Sequence, residues 1–428
     1  MNILVTGASG FIGSHIVQAL NNAGHIVTVC LRDTKTAQQR WPELNIVQAD
    51  FSKDHTESDW LPHLADIDIV INAVGIIFES GKQTFDALHT QAPCALFRAC
   101  KKAGVKRVIQ ISALGADKTA FSQYHLSKRA ADEYLAPLNL EWAIVMPSIV
   151  YGPGAKSMAL FKAIAALPVI PLIDSGNQAI QPIHIDDLSK AIVQLSEVEI
   201  CHKLRIEMVG PQPITMKELY SQLRTWLGMG KPRFISIPYS LALLGGRLGD
   251  FLGNTPMTRE AIQMLRKGNT GDVTPFVNQF GFRPKHFSES LKQAPAQQSD
   301  YWHGGLLFLK PLLRFSIAFL WIFTGIISAF VFPITQSYAM LAEAGISGIW
   351  APIMLYGAAT INIALGIATL FAYRLSLTGF IQISVIIIYT IIITFSQLEQ
   401  WIHPFGPVSK NIPLIIATMI MIVLEKKQ

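Results

Sequence analysis

Charge is nearly absent from the last quarter of this 428-residue chain: across residues 311–424 the only formally charged side chains are Arg314, Glu343, Arg374, Glu399 and Lys410. A water-soluble domain carries charge on about a quarter of its residues, so this stretch is not an ordinary solvated fold. Cysteine is scarce too. Cys30, Cys94, Cys100 and Cys201 show neither metal-ligand nor redox spacing, and they read as buried reduced thiols of a cytosolic domain. His184, Asp186 and Asp187 are crowded enough to suggest a metal, but a carboxylate before "DLSKAIVQL" is better explained as a helix cap, supplied by Asp186 or Asp187. No metal is expected. The net charge is only +6 and no aromatic-interleaved basic patch occurs, so no nucleic-acid partner is expected. The opening "MNILVTGASG" lacks a basic n-region, an apolar h-region and a cleavage site, so no signal peptide is expected.

What is present begins with alternation. Short runs rich in Val and Ile ("NILVT", "HIVTVCL", "DIDIVINAVG", "KRVIQISALG", "LEWAIVMPS") are separated by longer helical stretches. That pattern predicts an α/β fold with a doubly wound parallel sheet, which binds ligands beyond the carboxyl ends of its strands where strand order reverses. The runs "AALPVIPLIDSG" and "QPIHIDDLSKAIVQL" are expected to complete the sheet and to begin a small substrate-side subdomain.

The first strand-to-helix turn, "TGASGFIG", spaces Gly7, Gly10 and Gly13 as G-x-x-G-x-x-G. Gly7 permits the tight turn, Gly10 lets backbone approach a pyrophosphate and Gly13 lets the helix pack on the strand. The turn residues Ser9, Gly10, Phe11 and Ile12 would then face a dinucleotide. At the end of the second strand, "VTVCLRDT" places Arg32 before Asp33. An arginine there accommodates a 2′-phosphate and a carboxylate takes a ribose hydroxyl, so NADP(H) is favoured with NAD(H) as the alternative. Further on, "FSQYHLSKRAADEYL" holds Tyr124 and Lys128 one helical turn apart. A cation within about 4–6 Å would lower the pKa of a phenol.

Taken in order, "TGASGFIG", "INAVG", "ISALGA", "YHLSK", "MPSIVYGPG" and "IQPIHIDDLSKAI" resemble the extended or atypical short-chain dehydrogenase/reductase superfamily, with its NAD(P)-binding Rossmann fold. They look most like the branch that contains the dinucleotide-binding accessory subunit of respiratory complex I. The resemblance implies that Tyr124 is the general acid/base, that Lys128 lowers its pKa and holds the nicotinamide ribose, and that Ser112 hydrogen-bonds the reacting oxygen. It further implies that Asn72 and Ala73 form the turn after the fourth strand, that Asp50 lies on the adenine side, and that Pro147 and Ser148 lie beside the nicotinamide. Ser288 is expected to cap the closing helix in "FGFRPKHFSESL".

After a polar, proline-containing linker at 292–300 come four apolar segments, near 311–332, 349–373, 375–395 and 412–424. The first three are long enough for a hydrocarbon core of about 30 Å; the fourth is short. Lys310, Arg314, Arg374, Lys426 and Lys427 flank one side and only Lys410 the other. By the positive-inside bias this predicts a multi-pass protein of the inner (cytoplasmic) membrane with its N-terminal domain in the cytoplasm. Tyr301 and Trp302 are expected at the interface, and Asn362 and Gln382 as interhelical hydrogen-bonding residues. The tail resembles the DoxX-like four-helix membrane family, which implies a quinone-linked or respiratory membrane partner.

The expected organisation is an NAD(P)-binding domain at 1–295, a linker or interfacial segment at 296–310 and an all-α transmembrane domain at 311–428. The expected activity is that of a membrane-anchored NAD(P)-dependent oxidoreductase acting on a carbonyl or alcohol of a small or amphiphilic, quinone- or lipid-related substrate. Two alternatives stay open: a non-catalytic, dinucleotide-bound assembly factor of a respiratory complex, and an NAD-dependent epimerase or dehydratase.

Overall fold

The structure, a computed structural model, describes residues 1–199, 203–252 and 258–425. It separates into two compact units, Met1–Gly304 and Gly305–Gln428. Cys201, Lys426, Lys427 and Gln428 lie outside the described residues.

The first unit is built on seven strands: β1 (Asn2–Thr6), β2 (Ile26–Leu31), β3 (Asn45–Gln48), β4 (Ile69–Asn72), β5 (Arg107–Ile111), β6 (Glu141–Pro147) and β7 (Leu204–Met208). All pair in parallel, in the order β7-β6-β5-β4-β1-β2-β3. Side chains alternate across a strand, and both faces here are covered. Ile3, Val5, Ile69 and Ile71 pack with Ile16, Val17 and Leu20 of helix α1 (Phe11–Asn22). Leu4, Val70 and Val108 face the other way, onto Leu96 and Phe97 of α2 (Ala92–Ala103) and Ala131 and Leu135 of α3 (Gln123–Leu135). Two buried layers explain why the strands read as continuous apolar runs. The doubly wound parallel sheet is the fold the alternation predicts.

Several local expectations are corrected. Neither apolar run after residue 150 joins the sheet. Among the described residues, Ile170–Ile173 pairs only with Phe234–Ile237, and Ile183–His184 only with Val150–Tyr151. The seventh strand is instead "LRIEM", whose exposed Arg205 and half-buried Glu207 suit an edge position. Helix α4 (Ile185–Glu197) is capped by neither Asp186 nor Asp187. His184 is the N-cap, its ring Nδ1 accepting from the Asp186 N–H at 3.2 Å. Asp187 instead accepts the Lys285 N–H at 2.8 Å. Ser288 lies inside the helix Phe287–Gln293, whose N-cap position is His286. The stretch expected as a linker is helical from Gln298 onward.

The described thiols are buried. Burial pushes Cys30 up to about 12 and Cys94 up to about 11, so neither is a nucleophile at neutral pH.

The second unit continues helix α5 (Gln298–Ile326), followed by α6 (Ile334–Glu343), α7 (Trp350–Leu370), α8 (Leu375–Ser396) and α9 (Asn411–Glu425). Three helical stretches, Gln298–Val331, Trp350–Leu370 and Leu375–Ser396, are long and apolar enough to cross a membrane, and Asn411–Glu425 is shorter. Helices approach closely at glycines. A Cβ on Gly325 would lie 2.8 Å from the Ala359 carbonyl oxygen, and one on Gly366 3.0 Å from that of Ala318. Such contacts are typical of helices packing in lipid. Large apolar side chains, Phe319, Phe330, Ile388 and Phe395 among them, are exposed on the outside. Gln382 donates to Thr369 Oγ1 at 2.8 Å, joining α8 to α7, whereas the buried Asn362 Oδ1 has no hydrogen-bond partner among the described residues. Glu425, at the end of α9, lies 3.2 Å from Lys310 and 3.3 Å from Arg314. The last helix therefore ends level with the early part of the first.

Candidate functional site

The strand order reverses between β1 and β4. Gly7 follows β1 with φ +69, and a Cβ on it would lie 2.7 Å from the carbonyl of Ala73, which follows β4. The two loops thus touch backbone to backbone, and a positive φ is one that glycine adopts without strain. A Cβ on Gly13 would lie 2.2 Å from the Gly7 carbonyl oxygen, so Gly13 seats α1 on the turn. Gly10 is the N-cap of α1 and offers no side-chain acceptor, and no acid stands in the first turn. Ser9 and Gly10 are exposed, and Phe11 and Ile12 half-buried. The helix therefore presents unneutralised N–H groups and its positive end at the switch point, which fits a pyrophosphate.

At the far end of this edge, Arg32 is exposed and its carbonyl accepts from Gln48 at 3.1 Å. Asp33 accepts the Lys35 N–H at 3.1 Å. Burial pulls the Asp50 carboxyl upward, but the Ser52 hydroxyl and N–H, Lys53 and Arg32 outweigh it and hold the group below the usual carboxylate range.

Asn72 is fully buried and clasps three strands. It accepts from Thr6 Oγ1 at 2.7 Å, donates to Gln110 Oε1 at 2.8 Å, and receives the Val74 N–H at 3.3 Å. This shapes the turn that carries Ala73, whose N–H bonds the Thr6 carbonyl at 3.2 Å. Pro147 ends β6, its carbonyl accepting from Leu114. The buried Ser148 donates to the Gln181 carbonyl at 2.6 Å.

Helix α3 starts at a Ser122 cap that accepts the His125 N–H. It brings Lys128 to the carboxyl ends of β4 and β5, where Nζ donates to the carbonyls of Val74 at 2.9 Å and Ile111 at 3.0 Å. Gly75 leaves room for it, since a Cβ there would sit 3.2 Å from Nζ. Burial pulls the ammonium's pKa down. Tyr124, half-buried, is boxed by the rings of His125, His89 and Phe85 at 5.1, 5.6 and 6.2 Å. Its phenol departs from the sequence expectation. Burial, and then the charge of Asp132, push it up to about 12 rather than down.

Asp132, one turn beyond Lys128 on the same face, is fully buried and accepts a hydrogen bond from Ser112 Oγ. Burial raises its carboxyl. The hydroxyl expected to reach a substrate oxygen is thus engaged beneath α3. His89 is a second unanticipated member of the site, carried by a π-helical turn, Asp86–Gln91. Its Nε2 accepts the Ile76 N–H at 3.0 Å, which leaves Nδ1 to donate to Ser127 Oγ at 2.9 Å, and Ser127 in turn donates to the Tyr124 carbonyl at 2.9 Å. Burial and Lys128 hold the imidazole down to about 2, so it stays neutral. Asp132 was legible as the third of three residues at four-residue spacing; nothing in the sequence marked His89.

Residues 3–200 match the model of the NAD dependent epimerase/dehydratase family and residues 318–419 that of the DoxX-like family. The chain is 29% identical over 260 residues to a ceramide reductase of Caulobacter vibrioides, covering 59% of this chain and 80% of that one. It is 28% identical over 262 residues to mitochondrial NADH dehydrogenase [ubiquinone] 1 alpha subcomplex subunit 9 of Arabidopsis thaliana, covering 58% of this chain and 63% of that one. MoeE5, solved in complex with UDP-glucuronic acid and NAD, has the same fold at 22% identity with a TM-score of 0.53, over 68% of this chain and 97% of that one. The chain therefore joins an NAD(P)-dependent oxidoreductase domain of the short-chain dehydrogenase/epimerase type to a DoxX-like domain of membrane type.

Proposed function

We propose that the protein reduces the carbonyl of an amphiphilic substrate, with Tyr124 as the proton donor. One observation carries this reading: Lys128 bonds the carbonyls of Val74 and Ile111, so α3 brings Tyr124 to the same sheet edge as the glycine turn. A nicotinamide dinucleotide, when bound, supplies the hydride. Gly7, Ser9, Gly10, Phe11, Ile12 and Gly13 would hold its pyrophosphate, Arg32 and Asp50 its adenosine end, and Asn72, Ala73, Pro147 and Ser148 would shape the nicotinamide end. Lys128 would hold the ribose. A phenol pushed up to about 12 is protonated at neutral pH, the form in which Tyr124 would donate its proton to the carbonyl oxygen. His89 and Phe85 would position its ring. Ser112 would act through Asp132, by fixing the face of α3 that carries Lys128. We take residues 1–295 as the catalytic domain and 311–428 as the membrane domain.

Similarity to a ceramide reductase makes a long-chain lipid carbonyl the first substrate class to test. Mass spectrometry of the dinucleotide and lipid that co-purify in mild detergent, followed by NADPH consumption on candidate lipid ketones, tests the proposal. A retained dinucleotide that no candidate oxidises would count against it. The Ser112–Asp132 hydrogen bond and the raised phenol also suit a second reading, a cofactor-bound structural subunit of a respiratory complex, as does similarity to the complex I subunit.

For the cofactor, NADP(H) is favoured. Arg32→Ala is expected to weaken NADPH more than NADH, because only NADPH carries a 2′-phosphate to pair with the guanidinium. Titration of both cofactors against both proteins checks this, and equal losses would remove Arg32 as the discriminator.

For the membrane domain, four spans with both ends in the cytoplasm of an inner-membrane protein are expected. The Glu425 pairing with Lys310 and Arg314 supports this, since it returns the chain to the starting side. A cysteine placed at Glu343 or Gln400 should be labelled by an impermeant reagent from outside, and one at Arg374 or Glu425 should not. Labelling at 425 would mean that α9 does not cross.

A further inference from the structure

Helix Tyr239–Leu252 of the first unit is amphipathic in the wrong sense for a soluble domain. Its inward face holds Gly246 and Gly249, both buried, beside the half-buried Tyr239, Ala242 and Leu243, and a Cβ on Gly246 would lie 2.8 Å from the backbone nitrogen of Arg259. Its outward face carries Leu241, Leu244, Leu248 and Phe251, which are 56%, 52%, 62% and 88% exposed. Their spacing of three, four and three residues places them in one stripe. Ile235, in the strand just before the helix, is exposed as well. Water-soluble helices turn leucine inward and small or polar residues outward; this one does the reverse.

The surroundings are basic. Residues 231–267 hold six basic side chains, Lys231, Arg233, Arg247, Arg259, Arg266 and Lys267, and two acidic ones. Both acids are engaged: Asp250 pairs with Arg259 at 2.9 Å, and Glu260 accepts the N–H of Gln123. Lys231, Arg233 and Arg247 are exposed. A Leu/Phe stripe bordered by cations is the surface of a helix that lies in the headgroup region of an anionic bilayer.

We propose that helix Tyr239–Leu252 docks on the anionic membrane surface. The occupant is lipid, because the same chain carries membrane-type helices and so keeps a bilayer within reach at high effective concentration. The consequence for chemistry follows from the packing. Gly246 seats the helix on Arg259–Lys267, and Glu260 of that helix bonds the backbone at the start of α3, which carries Tyr124. A docked helix would hold the mouth of the site at the lipid surface, where an amphiphilic substrate resides. The proposal rests on the membrane reading of the second unit.

The test is site-directed spin labelling of the full chain in nanodiscs of phosphatidylcholine and phosphatidylglycerol, with labels at Leu248→Cys, at Phe395→Cys in α8, and at Gln18→Cys on the exposed side of α1. Oxygen, which partitions into lipid, should relax the labels at 248 and 395 more than a water-soluble nickel chelate does, and the order should reverse at 18. Replacing phosphatidylglycerol by phosphatidylcholine should lower the oxygen preference at 248 and leave 395 unchanged. A nickel-accessible label at 248 beside a lipid-like label at 395 would overturn the docking alone. A label at 248 reached by neither collider would mean a protein covers the stripe, and would overturn it too. A water-like label at 395 would overturn the membrane reading and the docking with it.

Discussion

Tyr124→Phe is expected to lower turnover by roughly 10²–10⁴-fold, the usual contribution of a positioned general acid, with the fold and dinucleotide affinity unchanged. The substitution removes one hydroxyl and keeps the ring, whose contacts with His125, His89 and Phe85 are aromatic. Lys128→Met should cost both turnover and cofactor affinity, because the ammonium is assigned to the ribose and also bonds Val74 and Ile111. In the double variant the loss of cofactor affinity should equal that of Lys128→Met alone, since the Tyr124 hydroxyl is not assigned to the cofactor. With a phenol pushed up to about 12, Tyr124 keeps its proton-donating form across pH 6–9, so a fall of the reductive rate with rising pH there is expected from Lys128, whose ammonium burial pulls down. A fall that persists in Lys128→Met would place the phenol's pKa near neutrality instead. Full activity of Tyr124→Phe in cells, measured by complementation of the deletion phenotype, would favour the structural reading, in which the dinucleotide is bound and not turned over.

Gly10→Asp should abolish dinucleotide binding and leave both units folded. A Cβ at Gly10 meets only the Gly7 carbonyl oxygen, at 3.1 Å, a tight but adjustable contact, and the residue is exposed at the start of α1. The new carboxylate would repel a pyrophosphate that the positive end of the helix would otherwise attract. Gly13→Ala is the counterpart. Its Cβ would sit 2.2 Å from the Gly7 carbonyl oxygen, so the turn must shift, at a cost of about 1–3 kcal/mol or more in stability. Isothermal titration with NADPH and NADH, alongside thermal unfolding, separates the two: lost binding at normal Tm for Gly10→Asp, lowered Tm for Gly13→Ala. Normal cofactor affinity in Gly10→Asp would remove the phosphate-binding assignment.

Much of this protein was legible because its signals are local. The glycines recur every three residues within one turn, Tyr124 and Lys128 lie one helical turn apart, and the charge-poor tail announces itself by composition. Other features depended on pairings that span the chain. The edge strand of the sheet was misplaced because "LRIEM" carries two charges and only its alignment beside β6 makes it a strand. His184 displaced two aspartates as a cap because a ring nitrogen two residues back met the free N–H, while Asp187 was drawn to Lys285, far along the sequence.

The sequence by itself determined the two-part architecture, the parallel sheet, the glycine turn and the positions of Tyr124 and Lys128, since these follow from periodicity and from short-range backbone geometry. Only the tertiary structure decided the electrostatics of the site. Asp132 is buried and holds Ser112, His89 reaches the site from a π-helical turn, and burial pushes the Tyr124 phenol up and the Lys128 ammonium down. Desolvation depends on every atom packed around a group, and no spacing within a single segment records it.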